Sequence, residues 1–375
     1  MNFLSVEKAF CGAVDDGVFP GAVVLAAKED AIVFERAFGF RSLLPTQSAL
    51  QLETVFDLAS LTKPLATTLA IILLTQEGQV GIEDRATRFL PAFRKYGKQL
   101  TTVRQLLTHT SGLPSWKPYY EEAIKIEAAG RRSFIASQEA KRWVTQLIHR
   151  ETPLCAPATQ CVYSDLGFIV LGELVERVAG MPLDEFCRER IYLPLGLSTM
   201  GFINLTQSRP AAAEQRHDYI APTENCPWRK KILCGEVHDD NAYVMGGVAG
   251  HAGLFATARD VHHLLACLNR CLQGLDDFFS RAILADFFTK DRSVINSRFT
   301  LGWDTPALEK SASGGAFSSR TIGHLGFTGT SIWWDLEKNC HIVLLTNRVH
   351  PTRKNDKIRR FRPHIHDLMM KAMFS

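Results

Sequence analysis

A serine followed three residues later by a lysine can form a nucleophile with its base, because at the start of a helix the two side chains share a face. The chain holds two such tetrads, Ser5-Val6-Glu7-Lys8 and Ser60-Leu61-Thr62-Lys63. Roughly one copy is expected by chance, and the first, on an exposed amphipathic segment, reads as that accident. The second follows Phe56-Asp57-Leu58-Ala59 and opens residues 64–78, a stretch apolar on nearly every side that predicts a buried helix. Pro64 suits its first turn and Gly78 its stop. A lysine desolvated at such a helix start, facing the positive end of the dipole, is expected to favour the neutral amine that a general base requires.

Two further segments have chemical potential. Tyr163-Ser164-Asp165 follows a turn at residues 155–160 and precedes an apolar helix. A phenol there can relay a proton between nucleophile and leaving group if a cation lowers its pKa, and Lys63 is the expected cation. His324-Leu325-Gly326-Phe327-Thr328-Gly329-Thr330 leads into a strand. Its small residues let a substrate lie along a sheet edge with a backbone N–H directed at a developing oxyanion.

The elements that must position these groups follow from hydropathy. Residues 3–16 read as a short amphipathic helix, and residues 21–27 and 31–38 as two strands about a Lys28-Glu29-Asp30 turn. Residues 330–335 and 340–346 form a second hairpin about Glu337-Lys338-Asn339, and residues 357–373 a closing helix. Between them the spacing is mostly helical, as at residues 168–178 before Gly180 and 260–272. The expected fold is α/β (α+β), an antiparallel sheet flanked by terminal helices with an inserted, mainly helical domain. Residues 1–60 and 300–375 would form the sheet domain and 61–299 the helical one, with a long loop region at about 205–255 and the active site between the two.

Composition narrows the class. With 375 residues, 46% hydrophobic and 22% charged, the chain is a globular protein of about two domains, not a disordered or low-complexity one. A net charge of +4 gives no footing for a nucleic-acid partner, and the one basic cluster, residues 353–360, reads as a solvated helix start. The longest apolar run, residues 69–74, is far short of the ~18 residues a membrane span needs. No secretory signal is read at the N-terminus, and nine scattered cysteines suit free thiols, so the cytoplasm is the expected address.

Taken together, in this order and register, the three motifs resemble the penicillin-recognising serine hydrolases: class C β-lactamases, low-molecular-weight penicillin-binding DD-peptidases and related esterases and D-aminopeptidases. The resemblance runs from Phe19-Pro20-Gly21-Ala22 through Leu106-Leu107-Thr108-His109-Thr110-Ser111-Gly112-Leu113 to residues 323–331. It implies a β-lactamase/transpeptidase-like fold, Ser60 as acylated nucleophile, Lys63 as its base and Tyr163 as the acid/base serving the leaving group. It also implies an oxyanion hole from the backbone N–H groups of Ser60 and Phe327. Asp165, His324, Gly326 and Thr328 are then expected to contact substrate, with His238 and Asn241 among the polar groups of the loop that rims the cleft.

Two positions depart from the commonest family pattern. Asp165 stands where Tyr-x-Asn is usual, and His324-Leu325-Gly326 where β-lactamases have Lys-Thr-Gly. Losing a permanent cation and a hydroxyl removes donors for a β-lactam or peptide carboxylate, which argues against efficient β-lactamase activity. The favoured reading is acyl-enzyme hydrolysis of peptidoglycan-derived peptides or D-amino-acid compounds. The alternatives are a small-ester carboxylesterase, a class C-like β-lactamase, or a non-turnover sensor binding penicillin or muropeptides. The expected partner is a small molecule or short peptide, and the oligomeric state is not readable.

No cofactor and no metal are expected. His263, Cys267 and Cys271 at i, i+4 and i+8 spread over ~12 Å of helix, too far for one ion. Cys226, Cys234, His238 and His251 lack a Cys-x-x-Cys knuckle. The glycines near residue 250 lack the phosphate-loop context of a preceding strand and a following Gly-Lys-Ser/Thr.

Overall fold

The computed structural model describes residues 1–207, 219–295 and 297–375. Six strands form an antiparallel sheet: β1 (Gly21–Lys28), β2 (Ala31–Ser42), β3 (Ser48–Ala49), β4 (Thr321–Leu325), β5 (Ser331–Asp335) and β6 (Cys340–Thr346). Their order is β3-β2-β1-β6-β5-β4, so the two predicted hairpins meet where β1 pairs with β6, Val24 opposite Leu344. Both central strands are apolar along nearly their whole length because both faces of the sheet are covered. Ala22, Val24 and Ala26 face a cluster with Ile342 and Leu344, built on helix α1 (Leu4–Asp15) through Val6 and Phe10 and on the closing helix. Val23, Leu25 and Ala27 belong with Val343 and Leu345 to the other, larger core.

That larger core holds the helices that bear the candidate chemistry. Ala59–Leu61 is a single 3₁₀ turn, Lys63–Thr68 is π-helical, and helix α2 follows at Leu69–Gln76. The predicted continuous helix therefore starts with two non-α segments, of a kind common at functional sites. Helix α3 (Asp165–Ala179) is capped by the Ser164 side chain accepting from the Gly167 N–H and stopped by Gly180 at φ +69°. Helix α4 (Ala258–Gln273) packs against β1 and β6, and helix α5 (Ile358–Phe374) closes the chain beside α1.

Within the loop region, residues 208–218 lie outside the described residues. Its described part includes Leu254–Ala256, which pairs with both Phe56–Asp57 and Gly201–Phe202 and so braces the strand before Ser60. The basic cluster differs from its reading as wholly solvated. Arg353 folds inward onto Glu224 (Nε to Oε2, 2.6 Å) and Asp240 (Nη1 to Oδ2, 3.0 Å), two buried carboxylates that need a cation. Among the described residues no helix is long and apolar enough to cross a membrane. All nine cysteines are free thiols.

Candidate active site

Ser60 sits after a strained step. Ala59 has φ +48°, a left-handed conformation costly for any residue with a Cβ, and its N–H donates to Asp57 Oδ1 at 2.8 Å. Asp57 is buried and also accepts the His238 N–H at 2.6 Å through Oδ2. The Thr62 hydroxyl donates to Ala59 O (2.6 Å) and accepts from Leu254 N–H (3.1 Å), closing the brace. The half-buried Ser60 is thus held in a tight turn with its hydroxyl against Lys63.

Lys63 is fully buried. Its Nζ donates to Ser60 Oγ at 3.0 Å and to His251 O at 3.2 Å, and lies 2.7 Å from Asp165 Oδ1. Burial pulls the lysine pKa down, but Asp165 and Tyr163 together outweigh it, and the net direction is up. The amine is therefore an ammonium at neutral pH, a correction to the neutral base expected from burial and dipole. Lys63 Nζ lies 5.0 Å from the centroid of the Tyr163 ring, and Lys63 and Ser60 both act on its phenol. Its own pKa is raised, because burial and the Asp165 charge exceed the pull of Lys63, so the expected lowering does not occur.

His324 lies at the other wall, 3% exposed, its Nδ1 2.9 Å from Leu325 O. Burial and the Lys63 charge push its pKa down to about 3, so the ring is neutral and Nδ1 carries the hydrogen that the carbonyl accepts. Its ring centroid is 6.0 Å from that of Tyr163. Asp165, the carboxylate expected to hold a proton on His324, is paired with Lys63 instead.

Among the described residues the backbone N–H of Ser60 and that of Phe327 take no part in the hydrogen bonds of the surrounding loops, whereas Gly326 N–H is bonded to Thr330 O (2.7 Å) and Gly329 N–H to Gly326 O (3.1 Å). Gly326 is required by space: a Cβ there would stand 2.6 Å from Leu58 O. Phe327 is half exposed, its ring against His238 at 5.6 Å between centroids.

Three residues expected to touch substrate are committed elsewhere. Thr328 is buried and donates to Asp57 O (2.8 Å), tying the loop to the strand before Ser60. Asn241, also buried, donates to Lys117 O (2.8 Å) and accepts from Tyr120 N–H (3.1 Å). His238 is buried beneath Phe327, with Nε2 3.4 Å from Glu224 Oε2. Each is a brace of the cleft wall rather than a free donor on its rim.

Sequence reasoning assigned no role to His109, although it lies in a quoted segment. It adopts φ +58°, accepts the Ser164 N–H at 3.0 Å through Nδ1, and packs 4.5 Å from the Tyr163 ring, fixing that phenol. Burial and the Lys63 charge hold its pKa well below the usual imidazole value, as an acceptor nitrogen requires.

Cys267 and Cys271 approach Asp276, not His263, within 4.8 Å of one another. The oxygens of Asp276 are already engaged by Arg270 (3.3 Å) and Phe278 N–H (3.0 Å).

With this geometry stand four likenesses. The family model described as Beta-lactamase matches residues 6–365. An N-acetylmuramyl-L-alanine amidase of Bacillus subtilis (strain 168) is 34% identical over 356 residues, covering 88% of this chain and 78% of that protein. A Salmonella typhi protein named provisionally as a D-alanyl-D-alanine carboxypeptidase is 32% identical over 367 residues, covering 92% of this chain and 82% of that one. Among solved structures, EstCE1, a hydrolase with promiscuous acyltransferase activity, superposes with a TM-score of 0.71 at 22% identity, over 96% of this chain and 97% of that chain, and so shares the fold.

Proposed function

The chain belongs to the Beta-lactamase family and is a serine hydrolase of that kind, and from this premise we propose that it cleaves an amide in peptidoglycan-derived peptides through an acyl-enzyme on Ser60. The observation that carries the reading is the 3.0 Å contact of Lys63 Nζ with Ser60 Oγ, with the Tyr163 ring centroid 5.0 Å from the same Nζ. Once the Lys63–Tyr163 pair has given up one proton to solvent, Ser60 Oγ adds to the carbonyl as its own proton passes into that pair, and the oxyanion is received by the Ser60 and Phe327 N–H groups. Tyr163 returns the proton to the departing amine, leaving an ester on Ser60. Water then adds to that ester with the same pair as base, releasing the acid and regenerating the hydroxyl.

The cleft favours some amides over others. Asp165 is anionic, His324 is neutral down to about pH 3, and Lys63 is already paired, so a substrate's terminal carboxylate meets no free cation from these groups. This supports an internal amide, such as the N-acetylmuramyl to L-alanine bond named for the Bacillus subtilis relative, over a carboxypeptidase substrate. The same feature supports small neutral esters as a second reading. Sheet residues 1–60 and 300–375 and helical residues 61–299 supply the two walls. A reducing compartment, the cytoplasm, suits nine unpaired thiols.

Labelling with a fluorophosphonate and with a fluorescent penicillin, followed by peptide mapping, tests the nucleophile. Turnover of an N-acetylmuramyl-L-alanyl peptide, a D-alanyl-D-alanine peptide and a p-nitrophenyl ester then ranks the substrates. A label on any residue other than Ser60 rejects the mechanism.

A further inference from the structure

The turn joining β4 to β5 is gripped by two arginines that come from outside the cleft. Arg362, on α5, donates through Nη2 to Gly326 O (3.2 Å) and Thr330 O (2.8 Å). Arg348 donates to Phe327 O through both Nε (2.9 Å) and Nη2 (2.6 Å), while its Nη1 donates to Arg353 O (3.1 Å) and Asn355 O (2.5 Å). The Arg348 guanidinium also stacks 4.6 Å from the Phe327 ring centroid. Both arginines are buried, at 8% exposure for Arg348 and 7% for Arg362.

Burying two cations on carbonyl oxygens, with no carboxylate in contact, is an expensive way to hold a turn. Among the described residues neither arginine forms an ion pair, and burial together with Arg348 lowers the Arg362 pKa to about 9. What the arrangement achieves is visible in the covalent structure. Gly326 C=O and Phe327 N–H are the two ends of one planar peptide group. A cation at the oxygen draws electron density from the nitrogen and strengthens the N–H as a donor, in the manner of polarised hydrogen-bond chains. Arg348 fixes the next carbonyl, and the Thr328 and Thr330 hydroxyls tie the same turn to Asp57 O (2.8 Å) and Leu58 O (3.0 Å), directly before Ser60.

We propose that Arg362 and Arg348 are positioning residues for acyl transfer: Arg362 polarises the Gly326–Phe327 peptide and Arg348 locks its orientation, so that the Phe327 N–H is a stiff, strengthened donor to the oxyanion. The proposal rests on Ser60 being the nucleophile. Its effect is confined to the transition state, because only the tetrahedral oxyanion, and not the ground-state carbonyl, exploits a preorganised strong donor.

The test uses the whole chain with Arg362→Met, Arg362→Lys, Arg348→Met and Arg348→Lys, and Arg360→Met as an exposed control on the same helix. Fluorophosphonate titration counts competent sites. On these, kcat and KM for a p-nitrophenyl ester, Ki for a boronic acid that forms a tetrahedral adduct on Ser60, and Tm are measured. The Met variants are expected to lower kcat per titrated site by on the order of 10²-fold with KM little changed, and to weaken the boronic acid by the same factor. Arg362→Lys should recover most of the loss, since one charge suffices to polarise a carbonyl, and Arg348→Lys less, since an ammonium cannot reproduce the fork on Phe327 O. An unchanged kcat per site, or a lowered Tm with boronic-acid affinity intact, overturns the proposal and leaves the arginines as structural anchors. Should Arg362→Met fail to fold, the Arg348 pair and Arg362→Lys decide by the same comparison. A wild-type Ser60 that takes up no fluorophosphonate overturns the acyl-enzyme reading itself, whereas a labelled Ser60 with unaltered variants overturns only the arginine roles.

Discussion

Asp165 lies 2.7 Å from the Lys63 ammonium, nearer than the Ser60 hydroxyl at 3.0 Å. The carboxylate that replaces the family's usual amide is thus the lysine's counter-ion, and it holds the proton on the group proposed to serve as base.

The first consequence is a pH profile. With the Lys63 pKa raised, chemistry that needs the free amine is slow at neutral pH, and kcat/KM should climb on the alkaline side with a midpoint belonging to the coupled Lys63–Tyr163 pair. Asp165→Asn removes the anion and leaves burial to dominate, so the midpoint should fall by about one pH unit or more. Rate profiles from pH 6 to 10 for both proteins check this, and an unmoved midpoint rejects Asp165 as the cause.

Removal of the proposed chemical groups should separate activity from folding. Ser60→Ala is expected to abolish fluorophosphonate uptake and hydrolysis while Tm holds. Lys63→Ala and Tyr163→Phe should each reduce turnover by on the order of 10²-fold or more. Labelling that persists in Ser60→Ala, or migrates to Ser5, eliminates the nucleophile assignment.

For penicillins, the neutrality of His324 matters more than its place in the motif. Because its pKa is about 3, the wild-type acylation rate should show no imidazole step between pH 5 and 8 and should be slow throughout. His324→Lys places an amine near the expected carboxylate and should raise the second-order acylation rate by on the order of 10-fold. Stopped-flow measurement with a fluorescent penicillin decides; rapid acylation of the wild type, with no gain in the variant, contradicts it.

Acid should unfold the protein through its buried imidazoles. Burial lowers the pKa of His341 to about 3, with His262 adding to the effect, and burial likewise lowers His366 to about 4. Groups with pKa values depressed in the fold contribute stability that is present above the unfolded value near 6.5 and is lost as pH falls toward the folded value. Between pH 6.5 and 4.5 each such ring should cost about 2 kcal/mol, read as a falling urea midpoint. A midpoint flat across that range would show that these rings are not buried neutral.

What could be read from residue order, and what could not, divides by sequence distance. Ser60 and Lys63 are legible because a spacing of three is itself the geometry, and the two hairpins because the continuous burial of β1 and β6 leaves a local apolar run. The protonation of Lys63 is not legible, since it depends on a carboxylate 102 positions away, between the Lys63 and Asp165 numbers. Thr328 and Asn241 read by type as substrate contacts, but a hydroxyl or amide near a site serves backbone as readily as substrate, and only the fold shows which. Arg348 and Arg362 are illegible for a stronger reason: arginine in sequence reads as surface, and these two are buried on carbonyls.

The pairing of β1 with β6 has a consequence for the life of the chain before it is an enzyme. Val24 must wait for Leu344, so the central seam of the sheet cannot close during synthesis until more than three hundred further residues have left the ribosome. The turn bearing Ser60 is made early, whereas the turn that would receive the oxyanion is made near the end. A nascent chain therefore carries its serine without the means to use it, and the capacity for acyl transfer arrives in one step, with closure of the seam.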